Sequence, residues 1–115
     1  MTAGDRMRRV DEAMREVLSD AITQDLKDPR IGFVTVTAVD TSPDLRHARV
    51  HVSVLGDAKA RKLSMAGLRS AHGRLQHRVA AELRLKHTPT LEFAYDDTAE
   101  RADRVERLLR EEGEE

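Results

Sequence analysis

Two runs rich in β-branched residues flank a dense turn signal, Thr41-Ser42-Pro43-Asp44, and they constrain this chain more than any other feature. Residues 32–40 read Gly-Phe-Val-Thr-Val-Thr-Ala-Val-Asp, a composition that favours a strand. In the second run Ala48, Val50, Val52 and Val54 alternate with Arg49, His51 and Ser53. Alternation at a period of two sends neighbouring side chains to opposite faces, so this strand has an apolar face and a wet one. The runs are close in sequence, and an antiparallel pair is expected. The chain therefore contains a sheet with one face to cover.

The remaining segments supply the cover. Val10, Met14, Val17, Leu18, Ala21, Ile22 and Leu26 recur at helical spacing and predict an amphipathic first helix over residues 4–27, ended by Pro29. After Gly56, Asp57 is placed to cap a second helix, on which Ala60, Leu63 and Gly67 share a face with Leu68 beside it. Leu75, Val79 and Leu83 continue the helical pattern. Gly73 interrupts it, and a glycine weakens a helix by about 1 kcal/mol relative to alanine. A kink, or two helices meeting near Ala71-His72-Gly73, is the better reading. Leu91, Phe93 and Tyr95 alternate with Glu92, Ala94 and Asp96, which predicts a third, half-buried strand. Asp97 and Glu100 have the spacing of a capping box before a last helix with an apolar stripe of Val105, Leu108 and Leu109. Residues 111–115 are expected to fray. The order gives an α+β fold: a three-stranded sheet with helices on one face, the third strand returning parallel to a neighbour.

With 115 residues, one domain over 1–115 is expected, burying roughly 65% of its unfolded surface. No cysteine is present, which excludes disulfides and thiolate metal sites and suits a reducing, cytoplasmic setting. Residues 1–10 carry charges and no apolar run, so no signal peptide is expected. No stretch approaches the ~20 apolar residues of a membrane helix.

Catalytic chemistry finds no foothold. His47 and His51 share a strand face but stand roughly 13 Å apart at about 3.3 Å per residue, too far for one metal. His72 and His77 flank the expected kink. There is no nucleophile elbow, and the scattered glycines build no phosphate cradle. Ser42, Ser53, Ser64 and Ser70 are explained by a turn, a strand face and helix surfaces. Paired carboxylates such as Asp96-Asp97 are ordinary at a helix start. The expectation is no enzyme, no metal and no cofactor.

The charge distribution is informative. The formal net charge is −1, yet residues 58–87 hold eight Lys and Arg against Glu82 alone, a net +7. Residues 88–115 carry a net −6. A neutral total with one basic segment lets a domain bind a polyanion on one face. Arg61, Lys62, Arg69, Arg74, Arg78, Arg84 and Lys86 lie on or beside the two central helices. Arg74, His77, Arg78 and Ala81 share one face, and Leu75, Val79 and Leu83 another. Such cations neutralise phosphates and release counterions. With one tyrosine, two phenylalanines and no tryptophan, readout would be mainly of backbone and shape, as suits structured RNA.

Several segments, in order and spacing, resemble the bacterial ribosome-binding factor A family over almost the whole chain. They are Arg8-Arg9-Val10, Lys27-Asp28-Pro29-Arg30-Ile31-Gly32, Val34-Thr35-Val36-Thr37 and Ser42-Pro43-Asp44-Leu45. Residues 48–55, Ala71-His72-Gly73-Arg74-Leu75, residues 85–93 and Asp96 complete the pattern. The resemblance implies a type II KH-like domain in which Ala71-x-Gly73 forms an interhelical kink in place of the Gly-x-x-Gly loop. It implies a factor without cofactor or reaction that binds the small ribosomal subunit and its rRNA during late assembly and helps mature that RNA. A link to growth in the cold, assembly GTPases as partners, and action as a cytoplasmic monomer away from membranes are also implied.

Carried over by position, the RNA-facing candidates are Arg74, His77, Arg78, Arg84 and Lys86, with Arg61, Lys62 and Arg69 on the preceding helix. Arg6, Arg8, Arg9 and Arg30 are secondary; Arg30 could instead bind Asp28, and Arg8 could pair with Glu12. Ala71 and Gly73 are geometric candidates. Two other readings compete: a protein-interaction module whose acidic last helix engages basic partners such as ribosomal proteins, and a small hydrolase using surface His and Asp.

Overall fold

Alternating valines build the sheet, and the helical apolar stripes cover one side of it. The computed structural model describes residues 3–113. The described elements are α1 (Ala3–Gln24), β1 (Val34–Thr41), β2 (His47–Val54), α2 (Ala58–Ser70), α3 (His72–Leu83), β3 (Thr90–Tyr95) and α4 (Thr98–Gly113). The sheet order is β1-β2-β3, with β1 antiparallel and β3 parallel to β2. Met14 and Leu18 of α1, Val50 and Val52 of β2, Leu68 of α2, and Leu75 and Val79 of α3 form the fully buried centre. The result is an α+β fold with α1, α2 and α3 on one face of the sheet and the other face open.

The strands carry one irregularity. Register passes from Val36↔Val52 to Ala38↔His51, leaving Thr37 as an extra residue. A bulge of this kind reverses the side-chain parity beyond it. Val36 and Val39 are consequently both buried although they are three apart. The Thr37 hydroxyl faces the open side and donates to Asp96 Oδ2 (2.7 Å).

Several boundaries differ from the sequence expectation. Helix α1 ends at Gln24, short of residue 27, and Leu26 folds back half-buried against the core. Residues 32 and 33 precede the sheet because the Gly32 N–H turns to Ser64 Oγ (3.0 Å) on α2. Ser64, expected on a helix surface, is 1% exposed, whereas Leu63, expected inward, is 42% exposed. The buried face of α2 is Ser64, Met65, Gly67 and Leu68. Asp57 does cap that helix, accepting from the Ala60 N–H (2.8 Å).

The capping box at α4 is replaced by other bonds. Asp96 Oδ1 accepts from the Thr98 N–H (3.0 Å), Asp97 holds Arg101, and Glu100 accepts from the Tyr95 hydroxyl. Helix α4 buries none of its residues, so its apolar stripe covers no core. It is helical to Gly113, and residues 114 and 115, the end of the tail expected to fray, lie outside the described residues.

Candidate nucleic-acid interface

Helical spacing decides where the cations of the basic segment point. On α2 the buried residues define the inner face, and Lys59, Lys62 and Arg69 fall on the outer one, all exposed. Arg61 points instead toward the sheet end, its guanidinium 4.6 Å from the centroid of the Tyr95 ring. On α3, Leu75 and Val79 face the core and His77 faces outward. Arg74 is exposed and donates to the Asp25 carbonyl (3.2 Å).

The Arg74, His77 and Arg78 stripe does not stay together. Arg78 turns toward α1, where Nη1 meets Asp25 Oδ2 (2.5 Å) and Nη2 meets Asp20 Oδ2 (2.8 Å). Its Nε binds Glu82 on its own helix. Glu82 and Asp25, by hydrogen bonding, hold the guanidinium far above its already high ordinary value. A cation with this many carboxylate partners has little field left for a phosphate.

The helix junction lies at Ala71, whose N–H bonds back to Gly67 and Leu68. Gly73 is already inside α3, and a Cβ there would meet nothing within 4 Å. A cleft of 440 Å³ opens beside the junction, lined by Leu26, Lys27, Asp28, Ser70, Gly73 and Arg74 among others. Its far wall is the 25–33 loop. That loop approaches α2 so closely that a Cβ on Gly67 would stand 2.6 Å from Ile31 Cγ1. Arg30 and Asp28 close the loop on itself (2.6 Å), and the Arg30 guanidinium lowers the Asp28 carboxyl to about 2.

A second, smaller cleft runs between the α2–α3 junction and the free edge of β3, lined by Arg69, His72, Leu91, Glu92 and Phe93. Gln76 occupies part of that edge. Its amide nitrogen donates to the Pro89 carbonyl, and its oxygen accepts from the Leu91 N–H (3.1 Å). The bonds mimic a neighbouring strand and blunt the edge.

The other sequence candidates lie at or just beyond the end of α3 and on α1. Arg84 ends α3 in the left-handed region (φ 48°), and Lys86 is exposed in the loop beyond. Arg8 pairs with Asp5, because Glu12 is taken by Arg15 (2.5 Å). Arg6 and Arg9 are exposed on the first turns of α1. Among the described residues, Arg78 is the one member of the eight Lys and Arg in 58–87 that enters an ion pair. No described group of three or more His, Cys, Asp or Glu is arranged to hold a metal ion.

Sequence reasoning misplaced Ser64 and passed over Gln76 and the two acids Asp20 and Asp25. Ser64 lies four residues after Ala60 and three before Gly67, so its helical spacing carried the signal. Nothing local marks Gln76, which binds a segment 13 to 15 residues away.

Comparison with known proteins gives a consistent result. The family model described as Ribosome-binding factor A matches residues 6–109. A ribosome-binding factor A from Anaeromyxobacter sp. (strain K) is 53% identical over 112 residues, covering 96% of this chain and 81% of the relative. The crystal structure of ribosome-binding factor A from Thermus thermophilus superposes with a TM-score of 0.69 at 28% identity, covering 77% of this chain and 94% of that one. A Thermus thermophilus homology model fitted into the cryo-EM map of a 30S–RbfA complex superposes with a TM-score of 0.62 at 29% identity, over 75% and 90% of the two chains.

Proposed function

The chain belongs to the ribosome-binding factor A family, and from that premise we propose that it binds the small ribosomal subunit through its rRNA and assists late maturation of that RNA. The KH-like arrangement of α2, α3 and the sheet supplies the surface, and no step of bond chemistry is assigned to it. One observation carries the reading. Ion pairs engage Arg8 and Arg15 of α1, Arg30 of the 25–33 loop and Arg101, Arg107 and Arg110 of α4, whereas the cations of 58–87 other than Arg78 enter no ion pair among the described residues. Unpaired charge on one stretch of surface is what a phosphate chain requires. The contact surface is then the outer face of α2 with Lys62 and Arg69, continuing through Arg74 and His77 to Arg84 and Lys86. Arg61 and Arg78 act within the fold. The kink at Ala71 with Gly73 beside it, together with Lys27, forms the cleft into which backbone can enter. The factor acts in the cytoplasm as a monomer, and assembly GTPases of the same pathway are its functional partners.

Binding to isolated small subunits, and to subunit rRNA stripped of protein, tests this. With about five phosphates contacted, affinity falls roughly a hundredfold between 50 and 200 mM salt. Binding to intact subunits that is insensitive to salt and lost on stripped RNA would overturn the reading in favour of a protein-reading module.

A further inference from the structure

Two apolar surfaces of the described chain lie uncovered, and the fold brings both to one end of the sheet. On the body, Phe33 and Leu55 are 80% and 75% exposed and are joined by the Leu55 N–H to Phe33 carbonyl bond (3.0 Å). Leu63, also exposed, is next to Ser64, whose hydroxyl accepts from the residue before Phe33. On α4, Val105, Leu108 and Leu109 form a stripe and are 55% to 63% exposed. Single exposed leucines are ordinary, but grouped ones mark an interaction surface.

Register fixes the relation between them. Val34 pairs with Val54, and Val52 with Tyr95, so the start of β1 and the ends of β2 and β3 share one end of the sheet. Helix α4 leaves from that same end. Strands lie about 4.8 Å apart, which puts the start of β1 roughly 10 Å across from the end of β3. A helix rises about 1.5 Å per residue, so Val105 also lies roughly 10 Å beyond Thr98. A helix laid across the sheet end thus carries Val105 to Phe33 and Leu55, with Leu108 and Leu109 one turn further. Charge agrees with that position. Lys59, one turn before Leu63, and Lys62 enter no ion pair among the described residues, and neither do Glu111 and Glu112 at the far end of α4.

We propose that α4 is a strap that closes across this end of the sheet, its apolar stripe on Phe33, Leu55 and Leu63 and its last glutamates toward Lys59 and Lys62, where it competes with RNA for the outer face of α2. The swing occurs about residues 96 and 97. The open position is held by the bonds of Asp96 to Thr98 and of Tyr95 to Glu100. The competition rests on the RNA-binding reading; the closure does not.

The chain has no cysteine, so Leu55→Cys with Leu108→Cys creates its one thiol pair. Both positions are exposed, and an unchanged circular dichroism spectrum verifies the fold; Phe33→Cys with Val105→Cys is the second pair. Mild oxidation of the dilute full chain should give an intramolecular disulfide, read as a monomer of faster mobility on non-reducing electrophoresis. The control pair Arg46→Cys with Leu108→Cys, at the opposite end of the sheet, should stay reduced. A disulfide-linked dimer, or oxidation no faster than in the control for both pairs, overturns the strap. The oxidised protein should then bind small-subunit rRNA at least tenfold more weakly than the same protein reduced. Equal affinity overturns the competition. Failure of the reduced protein to bind RNA overturns the competition together with the RNA reading, and the disulfide result still decides the closure.

Discussion

Arg78 on α3 and Asp25 just beyond α1 stand 2.5 Å apart, nitrogen to oxygen, although 53 residues separate them in the chain. The contact pins α3 to the end of α1, two of the three helices that cover the sheet. Arg78→Ala should lower the thermal midpoint by a few degrees, because it leaves Asp20 and Asp25 facing each other without a cation. Arg78→Lys should recover only part of the loss, since an ammonium lacks the forked donors that reach several carboxylates. The salt dependence of RNA binding should be the same in Arg78→Lys as in the parent.

The outer face of α2 should behave in the opposite way. Lys62→Glu with Arg69→Glu alters exposed side chains that enter no ion pair among the described residues. Thermal stability should stay nearly constant, within about 0.5 kcal/mol per site. Affinity for subunit RNA should fall at least tenfold at low salt, and the slope of affinity against salt should flatten by about one to two contacts. An unchanged slope would remove both residues from the interface.

Close approach of the 25–33 loop to α2 depends on Gly67 and Ser64. Gly67→Ala drives a Cβ to 2.6 Å from Ile31 Cγ1 and should cost about 1–3 kcal/mol, measured by urea unfolding. Ser64→Ala leaves the Gly32 N–H without its acceptor and should cost about 1–2 kcal/mol. Both residues hold the same loop against α2, so the double variant should lose less than the sum.

Gln76→Leu should expose the backbone edge that the amide now covers. The Pro89 carbonyl and the Leu91 N–H lose their partner, at about 1–2 kcal/mol. The freed edge should also raise aggregation on heating, seen by light scattering.

Acid sensitivity should centre on two carboxylates. The hydroxyls of Thr98 and Thr37 and the Thr98 N–H lower Asp96 from 3.8 to about 2, and Arg30 does the same for Asp28. A carboxyl whose folded value is depressed stabilises the fold above its unfolded value and loses that contribution as pH falls through the folded one. Stability should therefore decline between pH 3.8 and about 2. Asp96→Asn should flatten that decline while lowering stability at neutral pH. A thermal midpoint that falls equally steeply in the variant would remove Asp96 from the acid response.

The sequence alone determined which face β2 and α3 turn inward, as the alternation of Ala48 to Val54 and the spacing of Leu75 and Val79 show. It also located the turn at Ser42-Pro43-Asp44, the Asp57 cap and the break near Ala71. These follow from local chemistry: proline geometry, a carboxylate beside free N–H groups, and periods of 2 and 3.6 residues. Tertiary structure alone decided that Arg78 serves the fold, that Ser64 is buried while Leu63 is exposed, that Gln76 guards a strand edge, and that α4 stands clear of the core. Periodicity records that a residue has a covered side but not which distant segment covers it. Long-range ion pairs and polar bonds such as Gln76 to Pro89 and Thr37 to Asp96 join residues 13 to 59 positions apart, and only the packed chain brings them within reach.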